Sequence, residues 1–365
     1  MYPFNINLVL FGTGNVGTTF IEQLREASEF IRQANDIKLN LVAIANSKTL
    51  RFYEGGIFGN EDIITATDSY SIKDIVNFVQ FHKLENLIAI DATASEELSS
   101  NYRYLISEGF NIVAANKIAN TQPQAGYDRL RDELSKNRRS FKYETNVGAG
   151  LPVIETVKTL YECGDQITKI RGVFSGSLSY IFNTFCEADV SFSSVVRDAL
   201  KKGYTEPDPR IDLSGKDVAR KLLILAREIN MAFEFEAIKI RSLLIPSLDE
   251  HTSLNWFLRN ISELDAPFET AKITQKAGYV LRYVGELDVK RQTLEVKLVS
   301  VPKNSSLGQL KGTDSLFEVF TNSYGEEPLV VQGAGAGKEV TARGLLADTI
   351  KTAKEITKNR ILSAF

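Results

Sequence analysis

The stretch Phe4-Asn-Ile-Asn-Leu-Val-Leu-Phe-Gly-Thr-Gly-Asn-Val-Gly17 leaves this chain few folds to choose from. Phe4–Phe11 ends in an apolar run, the mark of a short buried strand. A G-x-G-x-x-G turn follows at once and opens a helix expected from Val16 to about Ala34. In that context each glycine has a reason. Gly12 allows the tight turn, Gly14 lets a pyrophosphate approach the main chain, and Gly17 lets the helix pack on the strand. Thr13, Asn15 and Val16 complete the turn. The free N–H groups and positive dipole end of the helix then suit phosphate.

Alternation continues downstream. Strands are expected at Leu39–Ala45, Leu87–Asp91, Phe110–Ala114 and Phe141–Glu144, and helices near Ser71–Phe81, Glu96–Glu108 and Tyr127–Asn137. Strands separated by helices predict an α/β unit, a Rossmann-like, parallel, doubly wound sheet with ligands beyond its carboxyl ends. At one such end stand Asn46, Ser47 and Lys48, with Arg51 close behind. No acid is there to hold a ribose 2′-hydroxyl, and two bases are available for a 2′-phosphate. NADP(H) is therefore favoured, with NAD(H) the alternative. Thr93 and Lys117 follow two further strands, and Lys117 is expected at the nicotinamide end of the cofactor. Next comes Glu144-Thr-Asn-Val-Gly-Ala-Gly-Leu-Pro152, the expected exit from this domain. Its main-chain carbonyls and Glu144 suit a hard monovalent cation; a plain hinge is the alternative.

The second region predicts an α+β unit with a mainly antiparallel sheet covered on one face. Its expected strands are Ile167–Phe174, Tyr279–Val289, Leu294–Val301 and Leu316–Thr321. Between them runs a polar stretch from Gly203 to Lys221, where Pro207 and Pro209 predict a stiff extended loop carrying Glu206, Asp208 and Asp212. Ser214 is the expected cap of a helix whose apolar side is Val218, Leu222, Leu225, Ala226 and Ile229. Asp217 and Lys221 lie four apart on it. Alone, such a pair is ordinarily a solvated one worth about 0.2–0.5 kcal/mol. Beside those acids it also suits a small substrate with a cationic amine and a reacting oxygen. The Gly-rich turn near Gly335 leads into a helix from Lys338 that is expected to return to the first domain. The expected division is 1–150 with 331–365 for the nucleotide, and 151–330 for substrate binding, catalysis and dimerisation.

Composition removes other classes. At 365 residues the chain exceeds what one core usually serves. Its net charge of -3 gives no basic field for nucleic acid. No apolar run approaches the roughly 20 residues of a membrane span, and no signal pattern opens the chain. Cys163 and Cys186 cannot make a disulfide framework, so a reducing cytoplasm is expected. His82 and His251 cannot build a histidine-rich metal site.

With these segments placed, the chain resembles the homoserine dehydrogenase family, in the short form without a fused kinase or regulatory domain. The resemblance runs through Gly12–Gly17, Asn46-Ser-Lys48, Ala115-Asn-Lys117, Gly148-Ala-Gly-Leu-Pro152, Ser175–Asn183, Gly203–Lys221 and Gln332–Gly337. It implies reduction of L-aspartate 4-semialdehyde to L-homoserine, with Lys221 as acid/base, Asp217 beside it and Lys117 assisting. It further implies Glu206 and Asp212 at the substrate amine, with Gly203, Tyr204 and Thr205 lining the pocket. Gly12, Thr13, Gly14, Asn15, Val16, Gly17, Asn46, Ser47, Lys48, Thr93, Lys117 and Gly335 would contact the cofactor. Glu144, Val147, Ala149 and Leu151 would bind sodium, and the antiparallel sheet would join a homodimer. The alternatives are a related dehydrogenase for another aldehyde and a nucleotide-binding sensor without turnover.

Overall fold

In the computed structural model the described residues are 3–53, 55–57, 63–67, 69–249 and 251–363. They form two compact units: Met1–Asn146 with Gly337–Phe365, and Val147–Ala336.

The first unit is built on β1 (Phe4–Phe11), α1 (Asn15–Asn35), β2 (Ile37–Ala45), β3 (Leu50–Tyr53), β4 (Ile63–Thr67), α2 (Ile72–Phe81) and β5 (Leu87–Asp91). It continues through α3 (Glu96–Ser100), α4 (Tyr102–Ser107), β6 (Phe110–Ala114), α5 (Ile118–Thr121), α6 (Gln124–Asn137) and β7 (Phe141–Lys142), and is completed by the closing helix Lys338–Ser363. The sheet order is β4-β3-β2-β1-β5-β6-β7. Alternate residues of the central strands supply two cores, which is why helices cover both faces. Ile6, Leu8 and Leu10 pack with Phe20 and Leu24 of α1 and with Leu345 and Leu346 of the closing helix. Val9 and Phe11 share the opposite core with Val76, Leu105 and Leu134. Strand order reverses between β1 and β5, so the crevice at their carboxyl ends is the topological switch point where such sheets bind ligands.

Three local expectations are corrected. The edge of the sheet is an antiparallel hairpin, β3 and β4, rather than a continuation of the parallel series. The helix expected over Glu96–Glu108 is two, broken at Asn101. The strand expected to reach Glu144 stops at Lys142 and gives way to a 3₁₀ turn over Glu144–Asn146.

The second unit contains α7 (Val153–Glu162), β8 (Ile167–Val173), α8 (Gly176–Glu187), α9 (Phe192–Lys201), α10 (Pro209–Leu213), α11 (Lys216–Glu228) and β9 (Lys239–Ile240). After these come α12 (Leu254–Asn260), α13 (Asp265–Ile273), β10 (Tyr279–Asp288), β11 (Thr293–Pro302), α14 (Ser306–Gln309), β12 (Asp314–Thr321) and β13 (Leu329–Ala334). The order is β13-β12-β8-β10-β11-β9, antiparallel except where β9 meets β11. Because β13 pairs along β12, residues 331–336 fall in this unit rather than in the first.

The expected extended loop before Lys221 is also corrected, since it contains α10. Pro209 sits in its first turn, where a missing N–H costs nothing, and the Asp208 side chain accepts from the Arg210 N–H at 3.1 Å. Ser214 ends α10; the residue that starts α11 is Gly215, at φ 74°. A Cβ there would lie 2.2 Å from the Tyr283 hydroxyl, which donates to the Arg241 carbonyl at 2.8 Å. Both the left-handed backbone and the lack of room call for glycine. Gly215→Ala is expected to cost roughly 1–3 kcal/mol by urea unfolding. An unchanged midpoint would contradict this packing.

Candidate active site

In the first unit the glycine turn is wedged between two strand ends. Gly12, at φ 98°, donates its N–H to the Ala45 carbonyl at 2.8 Å, and a Cβ on it would lie 2.9 Å from Thr93 Cγ2. A Cβ on Gly17 would lie 1.9 Å from the Gly12 carbonyl oxygen, so helix α1 can begin this close to β1 only without one. Around Gly14 nothing comes within 4 Å of the Cβ position. Its main chain is therefore open to a ligand at the start of α1, beside Asn15 and Val16, and the first helical turn holds no acid.

Asn46 ties this turn to the next loop. Its amide donates to Thr13 Oγ1 at 3.3 Å, while its Oδ1 accepts from the main-chain N–H groups of Lys48 at 2.9 Å and Thr49 at 2.8 Å. Ser47, Lys48 and Arg51 are exposed. Lys117, half-buried, stands at the start of α5, and its carbonyl accepts from the Thr121 hydroxyl at 3.1 Å. Gly335 falls in the second unit, just past β13, where a Cβ would meet Ser315 Oγ at 2.0 Å, so the close approach of the chain to β12 demands glycine there.

In the second unit the centre is Lys221. Its side chain is only 11% exposed, and its ammonium contacts Asp217 Oδ2 at 2.8 Å and donates to the Phe174 carbonyl at 2.7 Å. The apolar side of α11, with Val218, Leu222 and Leu225 buried, holds the lysine stem inward. The Phe174 carbonyl just beyond β8 is a partner that sequence spacing could not reveal, being a main-chain group 47 residues away.

Asp212 accepts from the Ser177 hydroxyl at 2.6 Å and from the Glu206 N–H at 2.9 Å; Ser175 and Ser177 are hydrogen-bonded at 2.8 Å. Burial pushes the Asp212 carboxyl above the usual range and the charges of Glu206 and Asp217 add to it, while its hydrogen bonds oppose the shift. Glu206 is exposed. Thr205 is buried, with its hydroxyl donating to the Glu206 carbonyl at 3.0 Å. Tyr204 is 45% exposed and meets Tyr180 edge-on, with ring centroids 4.8 Å apart. Gly203, at φ 70°, ends α9 and so presents Tyr204. Asp208 differs from its neighbours, because its carboxylate is committed to Arg210, which also donates to the Asp249 and Thr252 carbonyls. The four residues expected at a cation divide between the units: Glu144 in the first, and Val147, Ala149 and Leu151 in the second. Among the described residues no group of three or more His, Cys, Asp or Glu could hold a metal ion.

The first unit is a doubly wound sheet with a glycine turn at its switch point, the class of fold that binds dinucleotides, and the second carries a buried lysine among acids. Residues 12–144 match the family described as the homoserine dehydrogenase NAD binding domain, and residues 152–350 match homoserine dehydrogenase itself. The chain belongs to the homoserine dehydrogenase family.

Among its relatives, the bifunctional aspartokinase/homoserine dehydrogenase of Haemophilus influenzae is 38% identical over 95% of this chain, and a chloroplastic counterpart from Zea mays is 37% identical over 94%. The chain spans only 43% and 38% of those proteins. A Candida auris protein of unknown function has the same fold at TM-score 0.86 and 32% identity, covering 96% of this chain and 98% of its own. A hyperthermophilic archaeal homoserine dehydrogenase, solved in complex with NADPH, shares the fold at TM-score 0.71 and 21% identity, over 96% and 98%. No helix among the described residues is long and apolar enough to cross a membrane.

Asp212 yields a pH prediction. Its raised carboxyl binds a proton more readily in the folded state than in the unfolded, so its contribution to stability falls as pH rises from the ordinary carboxylate range through the raised value. Asp212→Asn can keep both hydrogen bonds, with its Oδ1 accepting from Glu206 and its amide donating to Ser177. The variant is expected to melt no lower than wild type near neutral pH and to lose that advantage in acid. A lower neutral-pH melting temperature would contradict it.

Proposed function

We propose that the protein reduces L-aspartate 4-semialdehyde to L-homoserine with NAD(P)H. The observation that carries this reading is the Lys221 ammonium. Of its three protons, one points to Asp217 and one to the Phe174 carbonyl, and the third has no acceptor among the described residues. It is therefore available to an oxygen that gains negative charge. A nicotinamide nucleotide, when bound, supplies the hydride that the aldehyde carbon takes up. Lys221 stabilises the developing alkoxide and donates the proton that completes the hydroxyl. In the oxidative direction the same nitrogen takes the proton back. Asp217 and the Phe174 carbonyl keep the ammonium in one place, so orientation is their role.

Glu206 and Asp212 hold the substrate's α-ammonium, and the half-buried position of Asp212 makes that charge pairing stronger than it would be in water. Gly203, Tyr204 and Thr205 form the adjoining wall. In the first unit Gly12, Gly14 and Gly17, with Thr13, Asn15 and Val16, cradle the pyrophosphate. Thr93 and Lys117 serve the nicotinamide end. Asn46, Ser47 and Lys48 serve the ribose, and Lys48 and Arg51 favour NADPH, the nucleotide held by the archaeal structural relative. The carbonyls of Val147, Ala149 and Leu151, with Glu144, are oxygen donors suited to sodium. A homodimer through the antiparallel sheet and a cytoplasmic location complete the reading.

The test is nucleotide oxidation with aspartate semialdehyde and a short aldehyde panel, with NADPH and NADH in parallel. Aspartate semialdehyde and NADPH should give the highest kcat/KM. Lys48→Ala removes a charge-assisted contact of about 1.5 kcal/mol, so NADPH should lose about tenfold while NADH changes little. Absence of turnover with aspartate semialdehyde under either nucleotide would contradict the reaction, and a preference for NADH would contradict the cofactor assignment.

A further inference from the structure

Asp91, the last residue of β5, is 1% exposed and carries a carboxylate where a parallel strand ordinarily carries an apolar side chain. Three residues supply it with donors. The Thr93 N–H reaches Oδ1 at 2.7 Å, the Tyr102 hydroxyl reaches Oδ2 at 2.6 Å, and the Asn116 amide reaches Oδ2 at 3.0 Å. A buried carboxylate is costly unless donors of this kind surround it. The fold does not need it to join its strands, because the main chain does so: Ala92 N–H donates to the Phe11 carbonyl at 2.9 Å and Ala115 N–H to the Asp91 carbonyl at 2.9 Å.

Two of the three residues belong to the turns that follow β5 and β6 at the carboxyl ends of the sheet. Thr93 abuts the glycine turn, its Cγ2 being 2.9 Å from where a Gly12 Cβ would stand. Asn116, 2% exposed, spends its other amide hydrogen on the Ser95 carbonyl at 2.9 Å and accepts from the Ile118 N–H at 3.0 Å. It therefore grips both sides of Lys117. The third donor, Tyr102, lies in α4, is fully buried and belongs to neither turn.

We infer that Asp91 is a positioning residue of the nucleotide site, tying the Thr93 turn and the Asn116–Lys117 turn to one strand end. The inference rests on the first unit binding the nucleotide. A carboxylate suits the place because it accepts from all sides. An amide at 91 could still accept from the Thr93 N–H and donate to the Tyr102 oxygen, but it would turn its own N–H against the Asn116 amide. Asp91→Asn thus releases one turn while changing almost no volume. Tyr102→Phe removes a buried hydrogen bond of the same network and leaves both turns held.

The experiment titrates NADPH fluorescence against wild type, Asp91→Asn, Tyr102→Phe and Asn116→Ala, with the melting temperature of each. Asp91→Asn and Asn116→Ala should weaken NADPH binding by about tenfold, as displaced binding groups do. Tyr102→Phe should lose melting temperature comparably yet bind within about twofold of wild type. Unchanged affinity in Asp91→Asn, or equal weakening in Tyr102→Phe, would overturn the inference. If Asp91→Asn does not fold, Asn116→Ala decides in the same way. Failure of the wild-type protein to bind NADPH would instead remove the nucleotide reading itself.

Discussion

A charged amine in a protein interior survives only if its protons are occupied, and the second unit is arranged around meeting that demand at Lys221. One partner, Asp217, lies one helical turn away on α11. The other is the Phe174 carbonyl, where the chain leaves β8 before α8 begins. Both must be fixed for the ammonium to have one position. Phe174 is fixed by full burial against Phe317, with ring centroids 4.7 Å apart. Helix α11 is fixed by its apolar side and by the tight start at Gly215 beneath Tyr283. The core of this unit thus sets the direction of a single N–H bond.

Acidic groups around that lysine are graded by what they must do. Asp208 is committed to Arg210 and shapes the loop. Asp217 is partly exposed and in contact with the ammonium. Asp212 is held by Ser177 and by the Glu206 N–H in a position that raises its carboxyl, a cost that makes sense where a cationic ligand would relieve it. In the first unit the same logic applies to hydrogen-bonding capacity: Asp91 is buried as an acceptor for turns that a nucleotide would use.

Much of this was legible in the sequence, and the residues explain where it was not. The strand–turn–helix at Gly12–Gly17 could be seen because apolar runs and glycine spacing are local signals. The hairpin of β3 and β4 was missed because Leu50–Tyr53 is four residues long and follows a polar turn, with little periodicity to detect. Pro207 and Pro209 suggested an extended loop, yet proline is also at home in a first helical turn, and Pro209 uses it so. Gly215 rather than Ser214 begins α11 because main-chain conformation decided the cap, which composition does not display. The role of Asp91 needs Tyr102 and Asn116, 11 and 25 residues further along, and only the folded sheet brings them together.

The most direct measurement is turnover of aspartate semialdehyde by Lys221→Met, a change that keeps the buried stem and removes only the proton donor. Its kcat should fall by at least about a hundredfold, with NADPH affinity within about twofold of wild type. Retention of most of the wild-type kcat, with the fold intact, would contradict it.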